Sequence, residues 1–248
     1  MVGALALSIV LAYNNVVTSS RPPIVAIDGP AGAGKSVIAR RLASALGFTH
    51  VDTGALYRSV ALAAEMRGVS WEDGPALGTL TRELVENSSL LLEPSNSGGS
   101  RVRLFGNDVT DAIREVSITR GSSRVSAHPE VRAALLDLQR DVGKAGGVVL
   151  EGRDIGTVVF PNAEVKFFLT ASPEIRARRR YDEMAAKSGT AEISYDEVLA
   201  DVRQRDVQDT ERAIAPLRQA PGAIVIDSTA MTLDETVAAM VAKVAKRA

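Results

Sequence analysis

Ile24-Val-Ala-Ile-Asp28-Gly29-Pro30-Ala31-Gly32-Ala33-Gly34-Lys35-Ser36 is an apolar run of strand length feeding a glycine-rich turn. A helical pattern follows directly, with Ile38, Leu42, Ala45 and Leu46 at i, i+4, i+7 and i+8. Strand, Gly-x-x-x-x-Gly-Lys-Ser and helix in that order predict a phosphate-binding loop. Gly29, Gly32 and Gly34 with Ala31 and Ala33 leave room for backbone N–H groups to turn inward around a polyphosphate, and the helix opening at Lys35 points its positive end at the same anion. Lys35 is expected to reach the terminal phosphates and Ser36 to offer its hydroxyl to Mg²⁺. The bland alternative is a turn that binds nothing; it is disfavoured because the whole motif is matched between a strand and a helix.

The 248 residues suit one α/β domain with insertions and a full core. A net charge of −1 argues against a body held on nucleic acid by bulk electrostatics. Only six of the 29 basic residues are lysine, and the remaining 23 are arginine. Arginine grips phosphate in two-pronged fashion, so a neutral, arginine-rich chain suits anionic substrates bound at one place, although a compositional bias of the genome gives the same excess. With no cysteine, disulfides and thiolate metal sites are excluded, which fits a cytoplasmic protein. Residues 1–12 are apolar but too short to span a bilayer, and no lysine or arginine precedes them. They read as part of a non-core extension over residues 1–21, not an export signal.

Further along, Gly47 reads as a helix stop and Phe48-Thr-His-Val51 as a short strand ending at Asp52-Thr53-Gly54. A second helix is expected from about Ala55, with Leu56, Val60 and Ala63 or Ala64 buried. Tyr57 and Arg58 fall in its first turn, where an anion meets a helix N-terminus and a guanidinium together; Arg58 as a plain surface residue is equally open. Residues 68–78 read as a loop holding Trp71 and Pro75, and 79–87 as a helix. Leu90-Leu-Leu-Glu93, Arg101-Val-Arg-Leu-Phe105 and the turn Gly106-Asn107-Asp108 read as antiparallel strands of an inserted subdomain. Residues 110–125 are expected to be helical, and Pro129 opens a helix with Val131, Leu135, Leu138 and Val142 on one stripe.

Gly147-Val-Val-Leu150 is a buried strand running into Glu151-Gly152-Arg153-Asp154. Ligands of open α/β sheets gather beyond the carboxyl ends of strands, so Arg153 and Asp154 are expected at the site. Another strand, Glu164–Leu169, ends at Ser172-Pro173-Glu174, a cap, a first-turn proline and an early acid. In the helix so begun, Arg176, Arg179 and Arg180 share a face at i, i+3, i+4, where a triphosphate would relieve their repulsion; the alternative is a solvated basic face. Lys187-Ser-Gly-Thr190 reads as the loop of a lid. From Ser194 another helix carries Arg205, Asp209 and Arg212 on one stripe, either a surface ion pair or an acid holding two guanidinium groups for a phosphate. Ala223–Asp227 is the last strand and 233–246 the last helix. Asp227 invites comparison with the second acidic motif of phosphate-loop ATPases, but Ser228-Thr229 beside it suggests plain capping.

Four stretches together resemble bacterial cytidylate kinase, a nucleoside monophosphate kinase of the phosphate-loop class. They are Ile27-Asp-Gly-Pro-Ala-Gly-Ala-Gly-Lys-Ser36, Asp52-Thr-Gly-Ala-Leu-Tyr-Arg58, Glu151-Gly-Arg-Asp-Ile-Gly-Thr-Val-Val-Phe-Pro161 and Arg205-Asp-x-x-Asp-x-x-Arg-Ala-x-Ala-Pro216. The first is shared by many kinases; the other three are more specific. The resemblance implies a three-layer P-loop core with a central parallel sheet over 22–87, 126–174 and 191–248, a nucleoside monophosphate-binding insert at 88–125 and a helical lid at 175–190.

It further implies ATP at Gly29, Pro30, Ala31, Gly32, Ala33, Gly34, Lys35, Ser36 and Val37, with Mg²⁺ at Ser36. Thr53, Tyr57, Arg58, Arg153 and Arg212 would surround the acceptor phosphate, with Arg205 and Asp209 near the sugar. Ser123, Arg132 and Asp154 match the positions that read the cytosine edge, a carboxylate accepting from the amino group and an arginine or hydroxyl donating to ring acceptors. Catalysis would rest on Lys35, Arg153 and the lid arginines Arg176, Arg179 and Arg180. The implied activity is phosphorylation of CMP or dCMP by a monomer that uses neither nucleic acid nor membrane, with His50 and His128 as bystanders. Two features depart from the family pattern: the N-terminal extension, and Ser36-Val37 at the end of the loop. The rival readings are a kinase for UMP, AMP or a pantetheine nucleotide, and a nucleotide-dependent switch or motor; the sequence has no Asn-Lys-x-Asp guanine signature.

Overall fold

The computed structural model describes residues 21–94, 100–188 and 194–247. Residues 1–20 of the expected extension, residues 95–99 and the end of the expected lid loop lie outside the described residues. Strand β1 (Ile24–Asp28) is buried at all five positions. Such a strand shows no polar alternation because helices cover both faces of a parallel sheet. After helix α1 (Lys35–Leu46) the chain returns as β2 (Thr49–Asp52), and much later as β6 (Val148–Gly152), β7 (Val165–Thr170) and β8 (Ile224–Asp227). These five strands run parallel in the order β2-β6-β1-β7-β8.

The two faces of β1 build separate cores. Val25 and Ile27 pack with Ile38 and Leu42 of α1, Phe167 of β7, and Met240 and Val241 of the last helix, α8 (Leu233–Val244). Ile24 and Ala26 face Val148, Leu150, Ile155 and Val159, with Leu136 and Val142 of helix α5 (Pro129–Gly143) over them. The result is a three-layer α/β sandwich.

Between β2 and β6 lies the strand-containing insertion. Helix α2 (Thr53–Arg67) starts two residues before the expected position because the Asp52 carboxylate caps it, accepting from Ala55 N at 3.2 Å. The next helix, α3 (Gly74–Glu86), corrects the reading of residues 68–78 as loop. Asp73 is its N-cap and Pro75 belongs to its first turn. Its glycines are packing features: a Cβ on Gly78 would lie 2.4 Å from Glu130 Cβ, so their absence lets α3 settle against α5.

Strands β3 (Leu90–Pro94), β4 (Ser100–Leu104) and β5 (Asn107–Asp108) form the expected antiparallel sheet. The turn itself is Phe105-Gly106, both at positive φ, and Asn107-Asp108 already pair back onto β4. The single helix expected over 110–125 is broken at Glu115 into a 3₁₀ turn (Ala112–Arg114) and α4 (Val116–Val125). One apolar cluster joins Leu56, Leu77, Leu84, Leu90, Val102, Ile113, Ile118, Val131 and Leu135. Strands β3 and β4 and helix α4 therefore share one apolar core with α2, α3 and the start of α5.

After β6 a π turn (Ile155–Val159) presents two backbone N–H groups to Asp28 at the end of β1, each at 2.8 Å. Helices α6 (Pro173–Ser188) and α7 (Tyr195–Glu211) pair around a small cluster of Ala177, Val198 and Val202. Among the described residues, no helix is long and apolar enough to cross a membrane.

Candidate active site

The glycine-rich loop leaves β1 at its carboxyl end and closes into α1. Gly29 passes so near β7 that a Cβ would lie 2.0 Å from Leu169 O, and Gly34, the N-cap of α1, has φ 86°. No side chain caps that helix, so its first N–H groups stay directed into the loop. Lys35 is buried, and its Nζ donates to the Gly29 and Pro30 carbonyls at 2.8 Å each. Burial, with Arg153 adding to it, pushes its pKa well below the usual lysine range against the pull of Glu151 and Asp209. Val37 follows on the half-exposed side of α1.

Ser36 Oγ donates to Glu151 Oε2 at 2.9 Å, and His50 Nε2 bonds the other oxygen, Oε1, at 3.0 Å. Glu151 is the penultimate residue of β6, the strand beside β1, and so stands next to the loop. Sequence reasoning missed it and weighed Asp227, which closes β8 at the sheet edge and caps Thr229. The available signal was the buried run Val148–Leu150 ending in an acid. His50, read as a structural bystander, is a buried partner of that acid. Ser36 and Glu151 together offer hard oxygen donors of the kind Mg²⁺ takes.

Beyond β2 and β6 stands a group of arginines and acids. Arg153 Nε donates to Asp209 Oδ2 at 2.8 Å, while burial opposes the charge on Asp209. Arg153, Arg205 and Arg212 outweigh that opposition and hold the carboxyl below its usual range. Arg205 is pushed down to about 10 by burial and by Arg153, and its buried Nε has no hydrogen-bond partner. Arg212 Nε donates to Ala215 O at 2.6 Å, whereas its Nη2 is buried, unbonded and 4.0 Å from Asp154 Oδ1. Arg132 donates to Asp154 Oδ2 and lies over the Tyr57 ring, 5.4 Å from its centroid. Arg58 Nη2 bonds Asp52 at 2.7 Å, with Nε again unpartnered. Thr53 Oγ1 donates to Glu151 O at 2.7 Å. The cluster thus carries more guanidinium groups than carboxylates, and three of the former hold buried N–H groups with no partner, an arrangement suited to an anion.

Not every expected residue joins it. Ser123, half-buried on α4, is bonded to neither Arg132 nor Asp154 among the described residues; Arg132 Nη1 reaches the Ser126 carbonyl instead. The mutual repulsion anticipated for Arg176, Arg179 and Arg180 is relieved within the protein. Arg176 is 3% exposed and bonds Ala31 O, Ala171 O and Asp206. Arg179 donates to Ser228 O at 2.8 Å, and Arg180 pairs with Asp201 at 3.3 Å.

A family model described as cytidylate kinase matches residues 25–246. The chain is 49% identical over 216 residues to the cytidylate kinase of Exiguobacterium sp., covering 87% of this chain and 93% of that one. It is 48% identical over 228 residues to that of Syntrophotalea carbinolica, with 92% and 94% covered. With that of Geobacter sulfurreducens it shares 50% over 224 residues, with 90% and 93% covered.

Proposed function

The chain belongs to the cytidylate kinase family, phosphotransferases with a phosphate group as acceptor, and from that premise we propose how its residues move a phosphoryl group from ATP to CMP or dCMP. The products are ADP and CDP or dCDP. The observation that carries the reading is the Asp154 carboxylate, held by Arg132 and approached by Arg212, beside the Arg153–Asp209 pair and at the same sheet end as the loop.

The amide groups between Gly29 and Ser36 cradle the donor phosphates, and Lys35 leaves its loop carbonyls to meet their charge. Ser36 and Glu151 would hold Mg²⁺. When bound, Mg²⁺ neutralises charge on the donor phosphates. The acceptor phosphate lies among Thr53, Tyr57, Arg58, Arg153 and Arg212, with Arg205 near the sugar; the unpartnered N–H groups of Arg58 and Arg212 supply bonds to it. Its oxygen is ionised at neutral pH, so no strong general base is needed and catalysis is positioning plus charge neutralisation. The bond from the donor's terminal phosphorus to its bridging oxygen breaks as the acceptor oxygen bonds that phosphorus.

Asp154 accepts from the cytosine amino group and Arg132 donates to a ring acceptor. Uracil would set a carbonyl against the carboxylate, acceptor against acceptor. In this reading the unit built around residues 88–125 binds the acceptor nucleotide, residues 175–190 lie in a lid, and Asp209 orients Arg153 beside the sugar. The reading also takes the enzyme as a cytoplasmic monomer that uses neither nucleic acid nor membrane; the lack of cysteine supports the cytoplasmic setting and the near-neutral charge the absence of nucleic acid. ADP release measured with CMP, dCMP, UMP and AMP tests it. Turnover is expected on the cytidine nucleotides, and a strong preference for UMP or AMP would defeat the assignment of Asp154.

A further inference from the structure

Arg176 sits in the first turns of α6, where a lid arginine free to reach phosphate would be solvent-facing. It is instead 3% exposed. Its Nε donates to Ala171 O at 2.9 Å and its Nη1 to Ala31 O at 3.0 Å. Nη1 and Nη2 also grip both oxygens of Asp206, at 2.9 and 2.6 Å. A guanidinium committed to so many buried partners has little left to offer a triphosphate, and drawing it out would strand Asp206.

The contact with the loop is close on the backbone side as well. A Cβ on Gly32 would lie 3.2 Å from Arg176 Cβ and 3.3 Å from its carbonyl oxygen. The loop and α6 therefore meet directly, and the Ala31 carbonyl is held on the α6 side. A peptide whose carbonyl is tied outward presents its N–H on the opposite side, toward the phosphates.

Asp206 belongs to α7, three residues before Asp209, and Asp209 holds Arg153. One helix thus carries two acids a single turn apart. The first is fastened to the donor loop through Arg176, the second to an arginine of the acceptor cluster. The α6–α7 pair has only a small apolar cluster of its own, and Arg176, Arg179 and Asp209 give it polar attachments to the loop, Ser228 and Arg153.

We propose that Arg176 is a positioning residue and that, with Asp206, it couples the two nucleotide sites. Donor phosphate in the loop favours the arrangement in which Ala31, Arg176 and Asp206 are joined. That fixes α7 and, one turn on, the Arg153–Asp209 pair that receives the acceptor. By linkage the acceptor strengthens donor binding by the same factor. The proposal rests on the reading of the chain as a kinase for CMP.

The test is calorimetric titration of CMP into the full chain, alone and with Mg²⁺ and a saturating non-hydrolysable ATP analogue. The wild type is expected to bind CMP at least about fivefold more tightly with the analogue present. In Asp206→Asn that ratio is expected to fall to near one, while Kd for CMP alone stays close to the wild-type value. Should the buried Arg176 left behind unfold that variant, the double variant Arg176→Met, Asp206→Leu removes the link without stranding a charge, and the same loss is expected. A wild-type ratio near one, or variants that keep the wild-type ratio, overturns the proposal. A wild type that binds neither ligand alone overturns the functional reading and the proposal with it.

Discussion

Ser36 Oγ and Glu151 Oε2 stand 2.9 Å apart, joining the first turn of the loop's helix to the end of the neighbouring strand. They lie 115 positions apart in the chain and meet because β6 adds directly to β1 in the sheet. The pair is the oxygen set on which the metal assignment rests. Replacing Glu151 with Gln keeps the shape and a hydrogen bond but removes the charge, so the Mg²⁺ concentration needed for half-maximal turnover is expected to rise about 10- to 100-fold. Mn²⁺ binding in the presence of ADP, followed by electron paramagnetic resonance, is expected to weaken in parallel. Unchanged metal dependence would remove Glu151 from the site.

His50 supports the same carboxylate from the far side, with Nδ1 buried and unbonded. His50→Leu leaves Glu151 Oε1 without this partner, so a loss of about 1–3 kcal/mol in unfolding free energy is expected. Denaturant unfolding measures it. His50→Gln, which keeps a donor, is expected to recover part of the loss.

In the proposed function Asp154 decides between pyrimidines. Asp154→Asn offers an amide that can donate as well as accept, so the preference for CMP over UMP in kcat/KM is expected to narrow by about 100-fold or more. Stability is expected to fall too, because Arg132 and Arg212 lose the acid beside them. A variant that discriminates as the wild type does would show that the base is read elsewhere.

Local pattern carries the loop, the parallel core and the antiparallel insertion, since each depends on residues adjacent in sequence. What stayed hidden was long-range pairing. Arg176 and its neighbours look like a charged face until Asp206, 30 positions on, and the Ala31 carbonyl fold against it. The start of α3 was obscured for another reason: residues 68–78 show no helical pattern and read as loop, yet Gly74 and Gly78 within them serve the contact with α5. Glu151 had a visible signal, an apolar strand ending in an acid, but only the strand order sets it, and not Asp227, beside the loop.

Lys35 lies folded onto the Gly29 and Pro30 carbonyls, and the proposed role requires it to turn toward phosphate. Lys35→Ala is expected to lower kcat by about 100- to 1,000-fold, the scale for removing one donor from developing charge. Kd for CMP alone is expected to change little, since the acceptor cluster is built by other residues. Undiminished transfer by the variant would detach the loop from the chemistry.

Asp28 gives the chain a pH signature. Burial pushes its pKa up to about 6, against the two N–H bonds from Gly156 and Ile155 that favour the charge. Below its ordinary value of 3.8 the carboxyl is protonated in both folded and unfolded chains. Between there and about 6 the unfolded chain ionises while the folded one keeps its proton, so the folded state loses ground as pH rises. Above that range both forms are ionised and the full penalty, about 3 kcal/mol, is in place. Asp52 and Asp209, whose pKa values are lowered, act in the opposite sense, so the total slope does not isolate Asp28. The difference between wild type and Asp28→Asn does. Measured by denaturant unfolding from pH 4 to 7, wild-type stability is expected to decline relative to the variant, steepest near about pH 5. A difference that stays flat would mean that Asp28 keeps its charge throughout, stabilised by the turn it caps.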